Sequence, residues 1–243
     1  MAGEFTKFST LTVVMGRIMS ELGLNTPASY VGNTDTTTAQ ILNLLTSAGQ
    51  DLCMMTDWQY LHKEWTQVLA PAVTDYDLPD DWNSFVDSTM WNQASSLPVI
   101  GPLTPQVWRL LKARFAGGAT ISLQYRITGN QFILFQAPSA ADTLMADYYS
   151  RGWILQADLI TYRDNPAADS DVLLFDTRIM IPLVKLRWRA GKGFDTFNDV
   201  QDFNDAWDLV VGRDTPAPTL SIGPRSIYPY LGYGNMPDTG YGS

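Results

Sequence analysis

Along residues 8–23 the apolar positions Leu11, Val14, Met15, Ile18, Met19 and Leu22 recur at intervals of three and four, the spacing of one helix face. Ser9 and Thr10 precede this stripe. Gly23 follows it, where a left-handed residue commonly ends a helix. Residues 24–34 hold Asn25, Pro27, Gly32 and Asn33 and read as a loop. A second helix follows Asp35, with Thr36, Thr37 and Thr38 as cap and first turn. It carries Ile41, Leu42, Leu44, Leu45, Ala48, Leu52 and Met55 and ends near Asp57. The period then shortens. Trp65, Val68 and Leu69, and beyond Pro71 the residues Val73, Tyr76 and Leu78, alternate roughly with polar positions and predict a pair of strands. Residues 79–103 are broken up by proline, aspartate and glycine. A short helix then opens with Thr104 as N-cap and Pro105 in its first position, running through Val107, Leu110 and Leu111. Strand-like runs follow at 120–127, 131–136 and 143–150, and Gly129-Asn130 predicts a tight hairpin between the first two. Helical spacing returns over 170–190 through Val172, Leu173, Phe175, Ile179, Leu183, Leu186 and Trp188, with a kink or break expected at Pro182. A last helix covers about 196–211 and carries Phe197, Val200, Phe203, Trp207, Val210 and Val211. Beyond it, proline, glycine and tyrosine dominate to residue 243, a composition that cannot build its own core.

This order predicts an α+β fold. A helical bundle is built from N- and C-terminal helices, residues 1–61 and 153–212. A strand-rich domain is inserted at 62–152, and an extended C-terminal arm covers 213–243. No internal repeat at solenoid periods is visible.

Composition changes the picture in three places. Charged residues make up only 17 %, below the usual quarter, so much of the surface is neutral or covered by contacts. Eight Trp and 11 Tyr fit either extensive subunit contact or an aromatic core. The net charge of −9 argues against wrapping a phosphate backbone, which needs Lys and Arg to displace counterions. It suits solubility, or a channel wall past which DNA slides without sticking. The single cysteine, Cys53, rules out an intrachain disulfide and thiolate-rich metal sites. No apolar run reaches transmembrane length, and neither a signal peptide nor a membrane partner is expected.

Candidate chemistry is sparse. His62 is the only histidine, and a Cys53–His62 dyad would need Cys53 to be accessible although it falls in a helix that reads as buried. Phosphate-loop, dinucleotide, zinc-protease and nucleophile-elbow motifs are absent. Asp75, Asp77, Asp80 and Asp81, and Asp164, Asp169 and Asp171, form carboxylate clusters that read as loop and cap residues, without the spacing of a calcium loop. Lys185, Arg187, Arg189 and Lys192 concentrate at a helix end, where cations complement the negative C-terminus. No catalytic residue, metal or cofactor is therefore expected.

The segment 78–114 carries the most information. It reads Leu78-Pro79-Asp80-Asp81-Trp82, then Trp91-Asn92, then Leu97-Pro98-Val99-Ile100-Gly101-Pro102-Leu103-Thr104-Pro105-Gln106-Val107-Trp108. These elements, in this order and spacing, resemble the head-to-tail adaptor and tubular tail proteins of short-tailed bacteriophages. Leu97, Pro98, Gly101, Pro102, Pro105 and Trp108 form its structural motif, in which three prolines stiffen a turn that carries Trp108 into the core. The resemblance implies a structural virion protein at the head–tail junction, a homo-oligomeric ring of twelve copies between portal and tail nozzle, with genomic DNA passing through the lumen. It further implies a C-terminal extension that reaches the portal, for which Ile227, Tyr228, Pro229, Tyr230 and Leu231 are the expected anchors. It supplies no catalytic residues. A second reading is a tail-associated carbohydrate-binding or peptidoglycan-cleaving component, with Trp82 and Trp91 beside Asp80, Asp81 and Asp87 in an open groove. A third is a ring elsewhere in the virion.

Overall fold

The computed structural model describes residues 8–114 and 122–214. A two-residue strand β1 (Ser9–Thr10) leads straight into α1 (Leu11–Glu21), which buries Leu11, Val14, Met15, Ile18 and Met19. The loop after it is tied down by Asp169, whose carboxylate accepts the Tyr30 and Val31 amides at 3.0 and 2.8 Å. α2 (Thr36–Met55) starts where Asp35 accepts the Thr38 amide at 2.9 Å and the Thr38 hydroxyl at 2.8 Å. A 3-10 turn (Gln59–Leu61) ends this helical stretch.

The chain continues through β2 (His62–Leu69), β3 (Asp75–Asp77), β4 (Trp82–Phe85), β5 (Trp91–Asn92), β6 (Leu97–Pro98), α3 (Pro105–Arg114), β7 (Tyr125–Thr128), β8 (Gln131–Leu134) and β9 (Asp142–Ser150). The short strands β10 (Ile154–Leu155), β11 (Tyr162–Arg163) and β12 (Val172–Leu173) precede α4 (Thr177–Lys192) and α5 (Phe197–Asp214). The strands form three antiparallel sheets. Their orders are β1-β12-β10-β11, β2-β9-β5-β6 with β4 also on β9, and β3-β8-β7.

Three local expectations are corrected. The strands expected to pair with each other across Pro71 lie in different sheets, β2 on β9 and β3 on β8. The Tyr76 hydroxyl explains part of this. It accepts the Ala70 amide at 3.0 Å and lies 3.2 Å from the Val73 carbonyl, fixing a loop that carries the chain between sheets. The helix expected from residue 170 begins at 177. Asp176 caps it through the Arg178 amide at 2.9 Å, and Val172 and Leu173 are consumed in strand pairing with β10 and β1. Finally, α4 continues as one helix through Pro182, so the chain does not break there. A mid-helix proline costs about 3 kcal/mol, whereas each buried aliphatic side chain contributes about 1.5–3 kcal/mol. Ile179, Met180, Ile181, Leu183 and Val184 are all buried around it, and α4 packs against α1, α2 and α5.

Apolar burial falls into two clusters. One draws on residues 11–61 and 153–210 and includes Trp58, Trp153 and Phe175. The other draws on residues 65–148 and includes Trp65, Tyr125, Phe132 and Tyr148. No helix among the described residues is long and apolar enough to cross a membrane.

Candidate interaction surfaces

The motif segment folds into one continuous support. Trp91-Asn92 and Leu97-Pro98 are the two sides of a single ladder, with Trp91 opposite Pro98 and Asn92 opposite Leu97. The buried Asn92 side chain accepts the Ser95 amide at 3.0 Å and shapes the turn between them. The next residues are strapped to β7. The Tyr125 amide donates to the Ile100 carbonyl at 3.0 Å, and the Leu103 amide to the Tyr125 carbonyl at 2.9 Å. A Cβ at Gly101 would lie 2.6 Å from the Tyr125 ring and from its carbonyl oxygen, so the approach requires glycine. The Gly101–Pro102 peptide is cis. Thr104 and Pro105 then open α3, with the Thr104 hydroxyl accepting the Val107 amide at 3.4 Å.

Trp108 anchors this helix. It is 2 % exposed, meets Phe135 edge-on with ring centroids 5.4 Å apart, and lies 4.5 Å beneath the Arg126 guanidinium. The other faces of α3 look outward. Val107 and Leu110 are 40 % and 47 % exposed, and Arg109 and Lys112 are exposed beside them. The sequence reading overlooked this surface. Its signal was present, since Arg109, Lys112 and Arg114 recur within one short helix that also carries an apolar i, i+3 pair.

A second ordered site centres on Asp81. Its carboxylate accepts from Lys63 Nζ at 2.5 Å, Ser150 Oγ at 2.6 Å and Tyr148 Oη at 2.9 Å. Lys63 Nζ also stands 3.5 Å over the Tyr162 ring. Burial pushes the Asp81 carboxyl up, but the three hydrogen bonds and the Lys63 charge outweigh it and hold the group below the usual carboxylate range. Asp81 is therefore an ionised structural tie at neutral pH. Because its folded pKa is depressed, its contribution is complete above the ordinary carboxylate value of about 4 and disappears as pH falls through the folded value. Asp81→Asn is expected to cost about 1–2 kcal/mol at pH 7. It should also flatten the loss of stability between pH 6 and pH 3, read from urea unfolding at each pH. An acid limb as steep as the parent's would refute this assignment.

Beside Asp81 lies an open groove of about 430 Å³ walled by Asp80, Asp81, Arg151, Tyr162, Arg163 and Asp164. Neither Trp82 nor Trp91 lines it. Both tryptophans are half-buried, and Trp82 packs on Phe85 at 5.5 Å. Asp87 is not on its wall either, so of the residues named for sugar binding this groove gathers only Asp80 and Asp81.

Several further candidates are engaged structurally. His62 Nε2 is 3.5 Å from Asp147, while Cys53 Sγ contacts the Arg151 carbonyl at 3.8 Å, so these two side chains do not form a dyad with each other. Burial pushes the Cys53 thiol up to about 12. Asp171 accepts the Ala167 and Ala168 amides, and Asp164 faces Arg151 at 3.5 Å. Among the described residues no three His, Cys, Asp or Glu side chains converge as a metal site.

The basic group at the end of α4 has a different use from helix-end complementation alone. Lys185 pairs with Glu21 at 2.9 Å, Arg187 with Asp51 at 2.5 Å and Arg189 with Asp199 at 3.0 Å. These three cations tie α4 to α1, α2 and α5. Ile227, Tyr228, Pro229, Tyr230 and Leu231 lie outside the described residues.

The family model described as SU10 adaptor protein matches residues 9–219. A search of curated proteins returns no match.

Proposed function

The chain belongs to the SU10 adaptor protein family of phage structural proteins, and from that premise we propose that it forms a closed ring joining the portal to the tail nozzle. The observation that carries this reading is the family match across 9–219, which includes the whole 78–114 motif segment and both core clusters. Twelve copies would associate by the same head-to-tail contact, repeated until the ring closes. Genomic DNA would pass through the lumen without specific binding, and the net charge of −9 supports a wall that does not retain a polyanion.

In this reading residues 1–61 and 153–212 make a helical bundle and residues 62–152 a strand-rich insertion. The separation of the two apolar clusters supports that division. Residues 213–243 act as an arm toward the portal, with Ile227, Tyr228, Pro229, Tyr230 and Leu231 as anchors, because aromatic side chains dominate interface energies. An arm that orders on binding would lose chain entropy at that moment, so several anchors are needed together.

Sedimentation velocity of the purified chain with and without its cognate portal tests the proposal. The expected result is a large complex containing about twelve copies when the portal is present, and its loss on removal of residues 213–243. A full-length chain that stays monomeric beside the portal would overturn the ring. A truncated chain that assembles like the parent would overturn the role of the arm.

A further inference from the structure

α3 is exposed in a way that a solvent-facing helix has no reason to be. Of its described side chains only Trp108 is buried and Leu111 half-buried. Val107 and Leu110, three residues apart on one side, leave 40 % and 47 % of their surfaces in water. Arg109 and Lys112 flank them. No ion pair with a carboxylate is formed by either among the described residues, whereas Lys63, Arg151, Lys185, Arg187 and Arg189 each have one. Lys112 Nζ stands 5.8 Å over the Trp108 ring, and neither cation has a carboxylate partner among the described residues. An apolar strip rimmed by such cations is a surface suited to cover by something acidic and partly apolar.

A matching surface occurs on the same chain. On α5 the side chains of Phe203, Trp207 and Val210 turn inward against the helical core, and Asp199 is buried against Arg189. The outer face carries Asp202, Asp205 and Asp208, all exposed, with Leu209 beside them at 43 % exposure. Like charges three residues apart weaken a helix by about 0.2–0.5 kcal/mol per pair, and none of these three carboxylates is compensated by an ion pair among the described residues. The α5 face is thus acidic with an apolar element, as α3 requires.

We infer that α3 of one copy docks, through Val107, Arg109, Leu110 and Lys112, on the Asp202–Asp205–Asp208 face of α5 of a second copy. Two different, mutually complementary faces on one chain make a heterologous contact, the kind that repeats around a ring. The inference rests on the ring reading above and names the faces that meet. It also gives the acidic stripe a purpose that helix stability alone does not.

Charge reversal of each face separately provides the test. Arg109→Glu/Lys112→Glu leaves both faces acidic, and Asp202→Lys/Asp205→Lys/Asp208→Lys leaves both basic. All five side chains are exposed, so each variant should keep the parent's circular dichroism and melting midpoint. Each variant alone is expected to need at least about tenfold more protein to assemble with the portal. An equimolar mixture of the two should assemble like the parent, because each acidic face then has a basic neighbour. If either variant assembles unchanged, or if the mixture of folded variants fails to recover, the contact is wrong although the ring stands. Unchanged assembly of the α3 variant together with weakened retention of duplex DNA would assign α3 to nucleic acid instead, also overturning the contact. A parent chain that never assembles would fail the ring reading itself.

Discussion

Replacing Trp58 with alanine is expected to cost about 4 kcal/mol and to lower the melting midpoint by about 10 °C. Trp58 is 1 % exposed and sits where the end of α2, the segment before α4 and the inner face of α5 converge. Its ring meets Phe175 at 5.5 Å and Trp207 at 5.8 Å, both edge-on, and Tyr60 at 5.4 Å. Its indole N–H also donates to the Leu52 carbonyl at 2.7 Å. That carbonyl is one of the last four of α2, which have no partner within the helix. Alanine therefore leaves a cavity among aromatic rings and strands a backbone acceptor at the same point.

Trp58→Phe separates the two effects. It keeps most of the ring contact and should cost about 1–2 kcal/mol, mainly the lost hydrogen bond. Calorimetric unfolding of both variants beside the parent reads the difference. A midpoint for Trp58→Ala within two or three degrees of the parent's would mean that the surrounding rings collapse into the space, and the account of this junction would be wrong.

The second large effect is local. Trp108→Ala should release α3 while the helical core remains folded. Removing a buried tryptophan costs about 3–5 kcal/mol, and a ten-residue helix without tertiary support is marginal in water. Trp108 is the one buried side chain among those described in α3, and the contacts to Phe135 and Arg126 disappear with it. Amide exchange over residues 108–113 is expected to accelerate about a hundredfold. Amides of α2 should keep the parent's protection. If α3 makes the proposed contact, assembly should weaken at least as much as is expected for the charge-reversed α3, since a released helix presents no fixed face. Unchanged exchange in α3 would show that the strapping of residues 100–103 to β7 suffices to hold it, and that Trp108 is not the anchor.

Much of the helical part was legible because its determinants are close in sequence. Apolar spacing placed α1, α2 and α5 to within a few residues, and Asp35 announced its own cap. Gly129-Asn130 likewise marked the β7–β8 turn, where Gly129 adopts a φ of 63°. The resemblance of the 78–114 segment to phage adaptors was readable for the same reason, since its prolines, Gly101 and Trp108 act within one short stretch. The α3 surface was not legible as a surface because exposure of Val107 and Leu110 depends on what packs over the helix and cannot be inferred from a periodic pattern alone.

By itself, then, the sequence determined the α+β class, the helices with strong stripes or local caps, the hairpin and the family resemblance. Each depends on residues within a few positions of one another, where backbone geometry permits few answers. The tertiary structure alone decided which strands pair, since β2 and β9 come together across some 80 residues of chain. It alone decided that Lys185 and Arg187 meet Glu21 and Asp51, more than a hundred residues away. It also decided that Gly49 must stay a glycine, because a Cβ there would overlap the buried Trp153 ring. These outcomes follow from how two apolar clusters close over distant segments, and the free energy of that closure is shared among many side chains rather than written in any one stretch.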